Sequence, residues 1–97
     1  MAQNSKAAAY LGLARKAGKL TLGVGAVETL SKGVFLLVAD EAVSENTRSK
    51  IEKLQKKFAC ELLYVNDLGA IVGADGRMLA AVREEHLAAA ICKACKE

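Results

Sequence analysis

Val34-Phe35-Leu36-Leu37-Val38-Ala39 is an apolar run without alternation, bounded by Gly33 on one side and by Asp40-Glu41 on the other. Such a run predicts a strand covered on both faces, in the middle of its sheet. Elsewhere the spacing is helical. Ala7, Leu11 and Ala14 recur at i, i+4 and i+7, with Tyr10, Leu13 and Ala17 as a parallel stripe. Ser5 to Ala17 is therefore expected to be a helix, capped by Asn4 or Ser5 and stopped by Gly18. Thr47, Ile51, Leu54 and Phe58 repeat at spacings of four, three and four among charged residues, the clearest amphipathic helix of the chain, with Ser44 as its N-cap. Glu84 to Cys95 places acids in its first turn, Lys93 and Lys96 in its last, and Leu87, Ala88 and Ile91 on an inner face.

Short elements fill the gaps. Lys19 to Leu22 reads as a strand leading into Gly23-Val24-Gly25, a turn that opens a helix from Ala26 to Lys32 ended by Gly33. Cys60 to Val65 is a second apolar strand. Asn66 or Asp67 caps a short helix of Leu68 to Val72 ended by Gly73, Ala74-Asp75-Gly76 is a turn, and Met78 to Val82 is a third apolar strand. Helix and strand thus alternate from end to end. This predicts an α/β fold: a three-layer α/β/α sandwich with one mixed, mainly apolar sheet of about four strands and helices on both faces. The connections are tight, leaving few residues for the long loops that a catalytic fold of this class carries.

Composition sharpens this in two respects. Ninety-seven residues, 53% hydrophobic and 26% charged, suffice for one domain over 1–97 and one modest core. There is no proline, no repeat, and no apolar run near the ~18 residues of a membrane span. The basic N-terminus MAQNSKAAAYLGLARKAG lacks the apolar core of a secretory signal and carries helical periodicity, so it is read as part of the fold. A net charge of +3 permits a nucleic-acid partner without demanding one. Its distribution says more. Arg15, Lys16 and Lys19 precede the glycine turn and Lys32 closes its helix, as candidate phosphate contacts, whereas Lys50, Lys53, Lys56 and Lys57 interleave with Glu45 and Glu52 as a solvated face.

Catalytic and metal chemistry find little support. His86 stands beside Glu84 and Glu85 with no serine or cysteine placed to use it, and the carboxylates are spread among lysines, so an enzyme is not expected. Three cysteines, an odd count, argue against a disulfide framework and for a reducing cytoplasm. Cys92 and Cys95 could bind zinc with Cys60 and His86 only if a strand and a helix brought all four together; core filling is the expectation, with no metal and no cofactor. Gly23-Val24-Gly25 completes neither a dinucleotide fingerprint nor a P-loop, because Glu28 stands where a third glycine belongs and no Gly-Lys-Ser/Thr follows. The free N–H groups of a glycine-opened helix nonetheless favour an anion.

Five pieces in order carry a family resemblance. They are Leu11-Gly12-Leu13-Ala14-Arg15-Lys16-Ala17-Gly18-Lys19, Gly23 opening the second helix, Val38-Ala39-Asp40-Glu41-Ala42, Ser44-Glu45-Asn46-Thr47-Arg48, and Leu68-Gly69 followed by Gly73. Over nearly its whole length the chain resembles the kink-turn RNA-binding ribosomal proteins, named L-seven-Ae in archaea, and most closely their small bacterial YlxQ-like branch. The resemblance implies a monomeric partner of structured RNA, kink-turn or ribosomal, and association with the ribosome. It implies that the head of the second helix enters the widened groove of a bent RNA, with the Ala74-Asp75-Gly76-Arg77 loop beside it. The implied site is Lys16, Lys19, Gly23, Val24, Gly25, Ala26, Thr29 and Lys32 with Ala74, Asp75, Gly76 and Arg77. Where RNA-binding members of the family carry asparagine, glutamate and lysine, this chain has Gly25, Ala26 and Thr29. None makes a bidentate base contact, each worth about 1–3 kcal/mol by analogy with groove readout. Binding is then expected through backbone donors and phosphate charge. The alternative is a protein-interaction module on the same fold that has lost specific RNA recognition.

Overall fold

A computed structural model describes residues 5–96; Asn4, one of the two candidate caps of the first helix, lies outside them. In chain order the elements are α1 (Ser5–Lys16), β1 (Leu20–Leu22), α2 (Val24–Glu28), β2 (Leu36–Asp40), α3 (Glu45–Phe58), β3 (Glu61–Val65), α4 (Leu68–Val72), β4 (Leu79–Val82) and α5 (Glu85–Lys96). The strands form one sheet in the order β1-β4-β2-β3. β4 runs antiparallel to both of its neighbours, and β2 and β3 are parallel. With helices on both faces, this is the mixed-sheet α/β/α sandwich that the alternation of elements predicts.

The two inner strands, β2 and β4, are buried at every position. Because a strand has a period of two, their successive residues go to opposite faces. Leu36, Val38, Ala80 and Val82 pack with Ala7 and Leu11 of α1, Leu68 and Val72 of α4, and Ala88 and Ile91 of α5. Leu37, Ala39, Leu79 and Ala81 pack with Val27 of α2 and with Ile51 and Leu54 of α3. The layers are therefore α1, α4 and α5 on one side and α2 and α3 on the other. Each fully buried leucine or isoleucine contributes about 1.5–3 kcal/mol of transfer free energy. These two clusters, one per face, fix the helices to the sheet.

Several elements differ from their expected bounds. β2 starts at Leu36 and runs through Asp40; Phe35, inside the apolar run, donates its N–H to the Val82 carbonyl at 2.9 Å while its side chain is 45% exposed. α2 is one turn rather than a helix to Lys32. Thr29 closes it, in right-handed backbone, with its hydroxyl donating to the Ala26 carbonyl at 2.7 Å. Gly33, at φ 82°, serves the loop by which the chain returns to β2, and does not end the helix. In α1 the stripe of Ala7, Leu11 and Ala14 is buried as expected, but Leu13 of the second stripe is 55% exposed and Ala17 is exposed too. α3 follows its pattern: Ser44 Oγ accepts from the Thr47 N–H at 3.2 Å, and Ala59 closes the helix at φ 51°. Among the described residues no helix is long and apolar enough to cross a membrane.

Candidate functional site

The antiparallel pairing of β1 with β4 sorts the site residues between two ends of the sheet. At one end the Lys19 carbonyl accepts from the Arg83 N–H at 2.8 Å; at the other the Gly23 N–H donates to the Leu79 carbonyl at 2.8 Å. Four steps of extended chain carry Gly23 about 13 Å from Lys19. β2 repeats the arrangement. Phe35 bonds Val82 at the Lys19 end, and the Asp40 N–H bonds the Met78 carbonyl at 2.9 Å at the Gly23 end. The Gly23 end therefore gathers the head of α2, the turn after β2, the head of α4 and the loop before β4.

Asp40 locks this end. It is the buried charged residue among those described, and both carboxylate oxygens are used: Oδ1 accepts from the Ala42 N–H at 2.7 Å and Oδ2 from the Leu68 N–H at 3.0 Å. A carboxylate is tolerated there because these bonds replace the water it has lost. They also tie the turn after β2 to the head of α4. Gly69 then lets the 74–77 loop lie on α4, since a Cβ there would stand 3.0 Å from the Ala74 carbonyl oxygen and 3.3 Å from Asp75 Cα and Gly76 N. The loop in turn delivers Arg77. A side chain at Gly23 would begin 3.6 Å from the Arg77 Nη1.

The head of α2 is open. Gly23 occupies the cap position at φ 93°, and no side chain bonds the first turn. Val27 N–H reaches the Gly23 carbonyl at 3.0 Å, but the N–H groups of Val24, Gly25 and Ala26 precede the first intrahelical acceptor. Gly25 and Ala26 are exposed, and a Cβ on Gly25 would meet nothing within 4 Å.

The structure thus brings together Gly23, Val24, Gly25 and Ala26 with Ala74, Asp75, Gly76 and Arg77. It does not bring Lys19 or Lys32 to them. Lys19 is at the opposite end of β1, and Lys32 lies in the loop that enters β2 beside Val82, because α2 stops after one turn. Lys16, on α1 in the other layer, lines a groove with Gly12 and Arg15 against Ala70–Gly73. Arg15 itself is committed, its Nη1 donating to the Val72 carbonyl at the end of α4. Thr29 spends its hydroxyl proton on Ala26. Exposed Glu41 and Asp75 share the Gly23 end, so its charge is mixed.

The four candidate zinc ligands are also kept apart. Cys60 packs with the α2/α3 cluster, whereas Cys92 and Cys95 pack with the α1/α4/α5 cluster across the sheet, and His86 is on the surface. Among the described residues no three of His, Cys, Asp or Glu are grouped to hold a metal. Burial pushes the Cys60 and Cys95 thiols above their ordinary range, favouring the protonated form.

Asp40, Arg15 and Gly69 have site-building roles that the reading of the sequence does not assign to them. A glycine inside a helical segment is a signal of close backbone approach, so Gly69 had a legible cue. Asp40 read only as the end of a strand, and the partner of Arg15 lies far along the chain.

No family model matches the chain, and no curated protein does. Among solved structures, a protein of unknown function from Bacillus halodurans superposes with a TM-score of 0.79, over 95% of this chain and 98% of its own, at 23% identity. At that identity the likeness shows the fold alone.

Proposed function

We propose that this chain is a non-enzymatic RNA-binding protein of the cytoplasm, a monomer that docks the Gly23 end of its sheet on structured RNA of the kink-turn or ribosomal kind. One observation carries the reading: two loops distant in sequence meet so that the Arg77 guanidinium lies against Gly23 at the uncapped head of α2. Backbone N–H groups and a guanidinium are the donors that a phosphate takes. Gly25 and Ala26 let a nucleic-acid backbone come close but offer no side-chain donor or acceptor to a base. Affinity then rests on phosphates and falls steeply with salt.

A second reading, a protein-interaction module, is favoured by Phe35. It is 45% exposed and lines a surface groove with Ala88, Ala89 and Cys92. An apolar interface of that kind responds little to salt.

Titration of the purified protein into a labelled kink-turn RNA and a straight duplex of equal length, at two salt concentrations, separates the two. Selective binding to the kinked RNA, weakened by Arg77→Ala and by Gly25→Leu, is expected. Gly25→Leu is the cleaner variant, because Gly25 is exposed and a Cβ there meets nothing within 4 Å. Equal weak binding to both RNAs, vanishing at the higher salt, overturns the RNA reading and directs attention to the Phe35 surface.

A further inference from the structure

Among the described residues Arg77 is the cation placed against the head of α2, and exposed Glu41 and Asp75 share its end of the sheet. The charge that would hold a polyanion there has to come from elsewhere. α3 supplies it. By sequence its lysines and acids interleave, but the folded helix sorts them. At 3.6 residues per turn, Lys50, Lys53 and Lys57 fall within an arc of about 60°, while Glu45, Glu52 and Arg48 share a flank about 140° away. Two contacts fix which way each flank faces. The Arg48 guanidinium lies 4.7 Å from the ring centroid of Tyr64 on β3, so the acidic flank turns to the outer edge of the sheet. Lys57 Nζ donates to the Glu28 carbonyl of α2 at 3.4 Å, so the lysine flank turns toward α2.

We infer that Lys50, Lys53 and Lys57 form a phosphate track beside α2, which holds the backbone of an RNA arm leaving the α2 head. This rests on the RNA-binding reading above and extends its surface. α2 and α3 both start at the Gly23 end of the sheet and cover the same face, and Lys57 in the last turn of α3 reaches the Glu28 carbonyl at the end of α2. Seven residues of helix carry the track over about 10 Å. With a nucleotide rise of about 3.4 Å per strand, that is the span of about three phosphates. Lys50, Lys53 and Lys57 are exposed. Glu28, whose backbone carbonyl takes the Lys57 bond, is exposed on α2, and Lys56 lies outside the track, about 60° round the helix from Lys53.

The test is a salt titration of the full chain and of Lys50→Gln/Lys53→Gln/Lys57→Gln with the labelled kinked RNA, first with both arms intact and then with each arm trimmed in turn. A second variant, Lys50→Gln/Lys53→Gln, leaves the Lys57 bond to α2 intact and guards against a loss of folding. The plot of log affinity against log salt should be shallower by about 2 for the triple variant with intact arms. Trimming one particular arm should reproduce that change in the unaltered chain and abolish the difference between the proteins. If Arg77→Ala weakens binding but the lysine variants keep the full affinity and slope, the track is overturned and the α2 site stands. If the unaltered chain does not prefer the kinked RNA, both are overturned.

Discussion

The heads of α3 and α2 lie at the same end of the sheet and are built in opposite ways. Ser44 takes an extended conformation before α3, its hydroxyl accepts from the Thr47 N–H, and Glu45 adds a negative charge to the first turn. Gly23 stands before α2 at a positive φ, with no side-chain acceptor and no acid in the first turn. The other described heads with a side-chain acceptor resemble α3: Asp67 and Asp40 serve α4, and Glu84 serves α5. A cap stabilises a helix by about 1 kcal/mol. The chain forgoes it at α2, where Arg77 also arrives, and there the backbone donors stay available to a ligand. Helix heads that complete themselves hold the frame; the head of α2 does not complete itself, and it is there that the proposed RNA contact would find its donors.

The largest expected effect breaks the frame. Asp40→Ala removes the acceptor of both the Ala42 and the Leu68 N–H groups at a buried position. Leaving the buried Leu68 N–H unpaired, while the exposed Ala42 N–H turns to water, should cost roughly 2 kcal/mol, measured as a shift of the urea midpoint at unchanged m-value. Asp40→Asn, which keeps one carbonyl acceptor, should lose less. Equal stability of Asp40→Ala and the unaltered chain would mean that Asp40 does not tie the end of the sheet together.

A smaller effect sharpens the contrast at the open head. Gly25→Asn combined with Ala26→Glu places on α2 the residue types of the family that the chain resembles, at positions where side chains project into open space. One new bidentate base contact is worth about 1–3 kcal/mol, so affinity for the kinked RNA should rise by about tenfold or more. The straight duplex should gain nothing, because the change lowers the net charge. A parallel change for both RNAs would show that the head of α2 does not meet bases.

The two layers and the inner strands were legible because burial writes itself into sequence period. Leu36 to Ala39 and Leu79 to Val82 are apolar at every position, as strands covered on both faces must be, and the α3 stripe at Ile51 and Leu54 is unmistakable. Ser44, Asp67 and Gly73 were legible because caps act locally. The lysines were not. Lys19 sits four residues from Gly23, yet an extended strand carries it to the other end of the sheet, so nearness in sequence became distance in space. Lys50 and Lys53 were hidden by the reverse effect, since a mixture of signs along the chain becomes two separate flanks once wound at 3.6 residues per turn. Arg77 was expected beside Gly23 through the family resemblance and not from the pattern of the chain, because what joins them, β4 pairing and the clearance at Gly69, is long-range.

The smallest effect concerns a capped head and its dependence on pH. Glu84 precedes α5 and accepts from the His86 N–H at 2.8 Å and the Leu87 N–H at 2.9 Å; these donors, His86 foremost, hold its carboxyl below the usual range. A carboxyl with a depressed folded pKa stabilises the fold above its unfolded value, and that contribution fades as pH falls through the folded value. Unfolding midpoints of His86→Asn and of His86→Asn/Glu84→Gln, a background that removes the imidazole 3.1 Å from Glu84 Oε2, should therefore differ by a constant amount from pH 7 down to about 5. Below the ordinary glutamate value of about 4.3 the gap should narrow, because only the carboxylate can lose its charge. A gap that stays constant to pH 3 would mean that the Glu84 cap acts through its shape rather than its charge. No such acid limb can come from the head of α2, which has no side-chain cap to titrate.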